Sequence, residues 1–472
     1  MSIKRYTAEA DTTITDAYKP DLVTRATASN MGASDSMEVF SLFAQTSTSS
    51  LEKSRALIKF PLTGLITDRA AGNLPASGNV NFFLRLFNAK HPFSLPREYY
   101  LEALAISQSW DEGYGLDMES YSDDGFGTRT GYGANWIYAA SGTLWTTTGS
   151  STTSSYAFSQ YFKEGYEDLE MDVTPLIEEW ISGTLPNNGF LIRLSGSYED
   201  ASRNTSFYTK KFFTRGTEYF FSKPVIEARW DSSAGDDRNN FYVTSALLSD
   251  TDNTQKLVFY NRVAGKLKNI HGNPNLQIKF YTDEALTNQI SGVVASVSNS
   301  SVGVYSANVR LFTTASEIYD VWSNATTSVA YYSGTINPIR YEGSVNAVEK
   351  EYFINITNLK SKYGAQESVY FKLYSRQKDW QPTIYNIAFN EIENTPIKNL
   401  FYKILRLEDK LEVIPYSTGS IPYTKLSYDN TGNYFKFDMS ILEPDYAYGL
   451  KFAIYDEIEL KEFNQVFKFR VE

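Results

Sequence analysis

The sequence predicts an all-β chain built from three sandwich-sized pieces. Three observations carry this. Apolar runs are short, rich in β-branched and aromatic residues, and separated by Gly, Asn, Asp and Ser clusters. Convincing helical periodicity occurs in one stretch, Asp172–Gly183. Two polar stretches divide the 472 residues into pieces of about 230, 110 and 125 residues, ordinary sizes for β-sandwich domains.

The runs Val80–Phe87 and Gly189–Leu194 are nearly continuous in apolar residues and suit central strands. Leu276–Tyr281 alternates apolar and polar residues, as a half-buried strand does. In the helical stretch, Thr174 is placed to cap and Pro175 suits the first turn. Leu176, Ile177, Trp180 and Ile181 share one face, and Gly183 can stop the helix in a left-handed conformation. So short a helix reads as a lid over one end of a sandwich. Ser141–Ser155 is dominated by Ser, Thr and Gly and reads as a loop rather than a Thr-rich edge strand. Trp230–Asn240 is small and polar and reads as a linker. A second boundary lies in Tyr341–Lys350, before the strand-like Tyr352–Ile356. The expected domains are therefore residues 1–231, 236–345 and 346–472.

Composition excludes several chemistries. Zero Cys removes disulfides, thiolate metal sites, iron–sulfur clusters and a cysteine nucleophile. The two His, His91 and His271, fall in different expected domains, so a His-rich zinc site is excluded. Both read as surface loop residues. The net charge of −11 argues against nucleic acid as the main partner, because phosphate binding needs a clustered cationic surface. No run of about 18 apolar residues is present, so no membrane span is expected. The first residues lack an apolar core of a secretory signal, which points to synthesis in a cytoplasm.

Few stretches carry the raw material of a site. The acidic segment Trp110–Gly125 offers Asp111, Asp117 and Asp123 as calcium candidates, although it lacks the spacing of an EF-hand. The simpler reading is a solvated loop with Trp110 anchored in a core. The acid pairs Asp111/Glu112 and Glu178/Glu179 are too unspecific to assign glycoside hydrolysis. No phosphate-binding loop is present, and the Gly-rich Gly125–Gly133 does not sit in a βαβ pattern. No cofactor is therefore expected apart from that possible calcium, and no enzyme. The stretch Tyr208–Pro224 mixes cations with aromatics. In an acidic β protein this marks strands whose aromatics face a core and whose cations face solvent or a neighbouring subunit. Lys210, Lys211, Arg215 and Tyr219, with Trp380 in the last piece, are the expected interface residues. The 35 Tyr fit either subunit contacts or a glycan platform, since both use large, rigid rings with a polar end.

The first half also resembles a known family. Ala10–Tyr18 contains D-x-T-I-x-D, followed by Asn30-Met31-Gly32-Ala33-Ser34 and the strand Ser54–Phe60. Trp110-Asp111-Glu112-Gly113, Val173–Gly183 and Asn187–Ile192 follow in order. Across residues 1–231 this resembles a DNRLRE-type domain, which implies a jelly-roll-like β-sandwich. Tyr352–Lys360, Trp380–Tyr385, Glu412–Gly419 and Tyr423–Asp429 are similar to segments of structural proteins from tailed bacteriophages. That likeness implies two Ig-like sandwiches after the jelly roll. It further implies a virion subunit at the neck, portal vertex or tail, or on the head surface. Its partners would be other virion proteins and copies of itself, with no nucleic acid and no membrane. The alternative is a carbohydrate-binding module for host glycans, assisted by calcium.

Overall fold

The structure, a computed structural model, describes residues 2–45, 50–90, 97–116, 133–200, 205–341, 350–380, 394–456 and 458–472. The protein is all-β, with two nine-residue helices among the described residues. It forms two compact units, Ser2–Trp230 and Asp231–Glu472.

The first unit runs β1 (Ile3–Thr7), β2 (Ala10–Thr15), β3 (Ser36–Gln45), β4 (Ser50–Lys59), α1 (Leu62–Ala70), β5 (Asn81–Leu86), β6 (Tyr99–Ile106), β7 (Tyr138–Ala140), β8 (Thr143–Leu144), β9 (Thr152–Phe162), β10 (Leu169–Asp172), α2 (Thr174–Ser182), β11 (Phe190–Leu194), β12 (Phe207–Phe213) and β13 (Val225–Arg229). One sheet has the order β1-β13-β5-β10. The other has β12-β3-β4-β11-β6-β9, with β2 also pairing β4. Alternation dictates the packing. On β5, Phe82, Leu84 and Leu86 point inward and meet Ala56, Ile58, Leu101, Ala103, Phe190 and Ile192 of the facing sheet.

Two details differ from the sequence reading. Thr174 does not cap its own helix. Asp172 Oδ1 accepts from the Thr174 N–H at 3.0 Å and from its hydroxyl at 2.5 Å. The Thr174 hydroxyl oxygen accepts instead from the Phe82 N–H at 2.8 Å, tying α2 to β5. Leu176, Ile177 and Trp180 are buried, and Gly183 ends the helix at φ 78°. Second, Ser141–Ser155 is not one loop. Thr143–Leu144 is a strand, and Thr152–Ser155 opens β9, an edge of the larger sheet.

The outer face of the smaller sheet holds a buried ion network. Register sets Glu227 of β13 opposite Arg5 of β1, and Val225 opposite Arg85 of β5. The Glu227 carboxylate, 2% exposed, accepts from Arg5 Nε at 2.6 Å, Arg229 Nε at 2.6 Å and Arg85 Nη1 at 3.3 Å. Glu170 of β10 completes it, accepting from Arg229 Nη1 at 2.7 Å.

The second unit begins with β14 (Gln255–Tyr260), β15 (Arg262–Val263), β16 (Lys266–Leu267), β17 (Leu276–Tyr281), β18 (Val294–Ser301), β19 (Val304–Arg310), β20 (Ile318–Asn324) and β21 (Ala330–Ile336). Sheets β14-β19-β18 and β17-β20-β21 enclose a core of Phe241, Leu257, Phe280, Ala307 and Trp322. There follow β22 (Tyr352–Ile356), β23 (Lys362–Tyr363), β24 (Ser368–Gln377), β25 (Leu400–Arg406), β26 (Glu412–Ile414), β27 (Ser427–Asp429), β28 (Gly432–Asp438), β29 (Ala447–Tyr455), β30 (Leu460–Glu462) and β31 (Phe467–Val471). Here β22-β24-β28-β27 faces β23-β31-β29-β25-β26. Stacked rings fill the space between, including Tyr402 on Phe435 at 4.4 Å and Phe371 on Phe435 at 5.1 Å.

The expected linker Trp230–Asn240 is structured along most of its length. Ala234 and Asp236 exchange backbone hydrogen bonds with Tyr428 of β27, extending that sheet. Asp236, Asp237 and Arg238 are buried. Arg238 donates to Asp236 Oδ2 at 3.1 Å and Asp320 Oδ2 at 2.6 Å. Asp237 accepts from Tyr428 Oη at 2.9 Å and the Lys256 N–H at 2.8 Å, and pairs with Lys398 at 2.7 Å. A polar composition signals exposure only when the charges lack partners. Here partners more than 80 residues away supply them.

Candidate functional site

The acidic segment is fixed where it leaves the core. Trp110 is buried and donates its indole N–H to Asn188 O at 2.8 Å. Asn30 holds both ends of the excursion. Its amide donates to Glu112 O at 2.7 Å and Ala134 O at 2.8 Å, and its Oδ1 accepts from the Gly115 N–H at 2.9 Å. Gly113 passes so close that a Cβ there would lie 2.3 Å from Asn30 Oδ1, and its φ is 82°.

Among the three calcium candidates, Asp111 is exposed. Asp117 and Asp123 lie outside the described residues. No group of three or more His, Asp or Glu placed to hold a metal occurs among the described residues. Glu112 is taken up by Arg215, whose Nε donates to Oε1 at 2.6 Å and whose Nη2 donates to Oε2 at 2.5 Å. Glu112 Oε1 also accepts from the Asp11 N–H at 2.9 Å. Glu178 is likewise bidentate, on Arg69 of α1. His271 is exposed in a turn, and His91 lies outside the described residues.

Beside this pair sits Asp11, 1% exposed, accepting from the Arg215 N–H at 2.7 Å. Burial pushes its carboxyl up to about 7, with Glu112 adding repulsion against the opposing Arg215 N–H. A raised folded pKa means that the native state holds this proton more tightly. The stability it adds is full below the ordinary carboxylate value and is lost as pH rises through about 7. Wild type should therefore lose stability relative to Asp11→Asn between about pH 4 and pH 7, by roughly 3 kcal/mol in all. Urea unfolding at the two ends of that window checks this. Parallel pH profiles for the two proteins would show Asp11 ionised throughout.

The expected interface residues separate into two groups. Lys210 is corrected. It is 1% exposed, buried between Phe162 and Phe212, and cannot meet a neighbouring subunit. Its Nζ donates to Asn88 Oδ1 at 2.6 Å, Glu167 O at 2.8 Å and Gly165 O at 3.0 Å. Its position on β12 points inward, where the alternation of Phe207–Phe213 is interrupted by a register shift. Lys211 is half-buried and paired with Glu38 directly across β3. Arg215 is held by Glu112. Tyr219 stands 56% exposed with its ring edge against Phe213 at 5.4 Å. Trp380 is half-buried under the Arg376 guanidinium, 5.2 Å from the ring centroid.

The structure adds a surface that sequence reasoning missed. Tyr100 of β6 and Tyr161 of β9 are directly opposed in register on the outer face of the larger sheet. Their rings lie 5.1 Å apart, and each is 45% exposed. The same face carries Arg193 of β11 across from Glu102 of β6, with Arg193 Nη2 donating to Glu102 at 3.0 Å. The signal was available. In Tyr99-Tyr100-Leu101-Glu102, period two puts Tyr99 and Leu101 in the core and Tyr100 and Glu102 outside.

No family model and no curated protein matches the chain. Loose likenesses to solved structures exist. The N-terminal Ig1-2 module of the Drosophila receptor protein tyrosine phosphatase DLAR is 11% identical, covering 46% of this chain and 90% of the module, with a TM-score of 0.15. The Yersinia pseudotuberculosis adhesin InvE is 10% identical over 45% of this chain and 54% of its own, at 0.16. The Escherichia coli adhesin FdeC is 10% identical over 58% of this chain and 79% of its own, at 0.17. Superpositions this loose say nothing about what this chain binds.

Proposed function

We propose that the chain is a structural subunit of a tailed-bacteriophage particle, at the neck, portal vertex or tail or as a head decoration. It works by stoichiometric binding to neighbouring virion proteins and to copies of itself. Its first unit is a DNRLRE-type sandwich that catalyses nothing, and the chain leaves the host cytoplasm as part of the particle. The observation that supports this reading is the pair of exposed tyrosines on a sheet face, Tyr100 and Tyr161. Rings on paired strands are already ordered, so docking against them costs little side-chain entropy. The net charge of −11 keeps such particles apart in solution.

The double variant Tyr100→Ser, Tyr161→Ser tests it. Both side chains point outward, so melting should shift by only about 2–5 °C, the loss of one cross-strand ring pair. Incorporation into purified particles, measured by quantitative mass spectrometry, should fall about tenfold or more. Undiminished incorporation would remove this face from the assembly. Absence of the chain from purified wild-type particles would remove the virion reading itself.

A further inference from the structure

Residues of the last sandwich, with Asn240 and Tyr242 from the stretch before β14, line an open cleft of about 340 Å³, within the range of small-ligand sites. Buried Pro396 and Ile397 form its floor. Tyr352 and Gln377 line one wall as cross-strand neighbours on β22 and β24. Tyr455, at the end of β29, lines the other. Tyr242 and the two lysines Lys350 and Lys398 also line it.

We propose that this cavity binds an acidic saccharide, a sugar unit bearing a carboxylate. The lining divides into the three groups such a ligand needs. The half-exposed rings of Tyr242, Tyr352 and Tyr455 offer faces for the C–H groups of a pyranose. The amide of Gln377 both donates and accepts, matching hydroxyls that do the same. The lysines supply the counter-charge. Lys350 is exposed and makes no ion pair with any described residue. Lys398 gives Asp237 a single contact at 2.7 Å, and an ammonium has three donors. Asp456, the acid among the described lining residues, is already an acceptor for the N–H groups of Ile458 and Glu459, at 3.1 and 2.7 Å. Two lysines thus face one acid among the described lining residues, and a ligand carboxylate would dock at Lys350, the lysine without an ion-pair partner among them. A free phosphate would leave most of the volume and the tyrosines unused. An acidic peptide would use the lysines and the Gln377 amide but has no pyranose face to lay on the three rings.

The proposal rests on the chain acting as a glycan-binding module and not on its place in a particle. Failure of the tyrosine variant above leaves it intact, and its own failure leaves that assembly reading intact. The test is calorimetric titration of the full chain with trigalacturonate, maltotriose and triglutamate at low salt. Trigalacturonate should bind saturably, and at least about tenfold more tightly than either of the others. Lys350→Glu reverses a charge that has no described partner and should weaken binding about tenfold with melting unchanged. Gln377→Ala should weaken trigalacturonate binding without restoring triglutamate. Absence of saturable trigalacturonate binding overturns the proposal. So does equal affinity for maltotriose or triglutamate, or full affinity in Lys350→Glu.

Discussion

Replacing Glu227 with Gln should lower the stability of the first unit by about 3–5 kcal/mol, the range for removing one partner from a buried ion cluster. The carboxylate is enclosed by Arg5, Arg85 and Arg229, and its surroundings leave almost no access to water. Taking away its charge leaves three guanidiniums facing one another across three strands, β1, β13 and β5, with Glu170 as the remaining anion paired to Arg85 and Arg229. Glu227→Gln keeps the shape and one acceptor, so the loss reads the charge rather than a cavity. Burial opposes the ionised form, but the three arginines outweigh it and hold the carboxyl far below the ordinary range. A depressed folded pKa contributes stability that is full above the unfolded value, near 4.3, and is lost as pH falls below it. The gap between wild type and Glu227→Gln should thus be widest at neutral pH and should shrink under acid. Chemical unfolding followed by tryptophan fluorescence at about pH 7 and pH 3 measures both. A gap under about 1 kcal/mol at neutral pH would mean that the arginines find water or other anions instead.

Lys210→Met should cost about 2–4 kcal/mol, because the methionine fills the space but leaves the oxygens of Asn88, Gly165 and Glu167 without their donor. This lysine also gives its effect a distinctive pH signature. Burial pushes the ammonium down to about 8, against the pull of Asp168 and Glu167. In the unfolded chain it titrates near 10.4. Between those values the unfolded state binds the extra proton, so the contribution of Lys210 to stability rises with pH. The advantage of wild type over Lys210→Met should widen by up to about 2 kcal/mol from pH 7.5 to pH 9.5. A constant gap would show that the three oxygens and the rings of Phe162 and Phe212 keep the lysine charged throughout.

Both effects sit where the sequence was hardest to read. Local pattern was enough for β5, β11 and β17, whose alternation or apolar continuity needs nothing from elsewhere in the chain. It was enough for α2 and for the anchoring of Trp110. It was not enough for α1, where Gly64 and two threonines weaken the helical signal and burial of Leu65 and pairing of Arg69 with Glu178 hold the turn in place. Charged residues were the least legible class. Lys210 looked like a surface cation because its acceptors, two backbone oxygens and the Asn88 side chain, lie 43, 45 and 122 residues away. Glu227 gives no local sign of burial, since Arg5 and Arg85, two of its three partners, lie 222 and 142 residues before it. The acidic stretch at Asp236 and Asp237 looked like a tether for the same reason. Tyr100 and Tyr161 were each visible as alternating strand residues, but only the β6–β9 register makes them one surface.

The embedding of Asp237 also sets a clock for synthesis. Tyr428, which donates to it, emerges 191 residues later, and Lys398 comes between them. At about 5–20 residues per second, roughly 10–40 s pass on the ribosome before the whole set of partners exists. The middle sandwich, though complete in strands by Ile336, must wait for its successor before this carboxylate gains all its partners. The two halves of the second unit therefore mature together, and a chain released early would carry an acid prepared for a neighbour that never arrives.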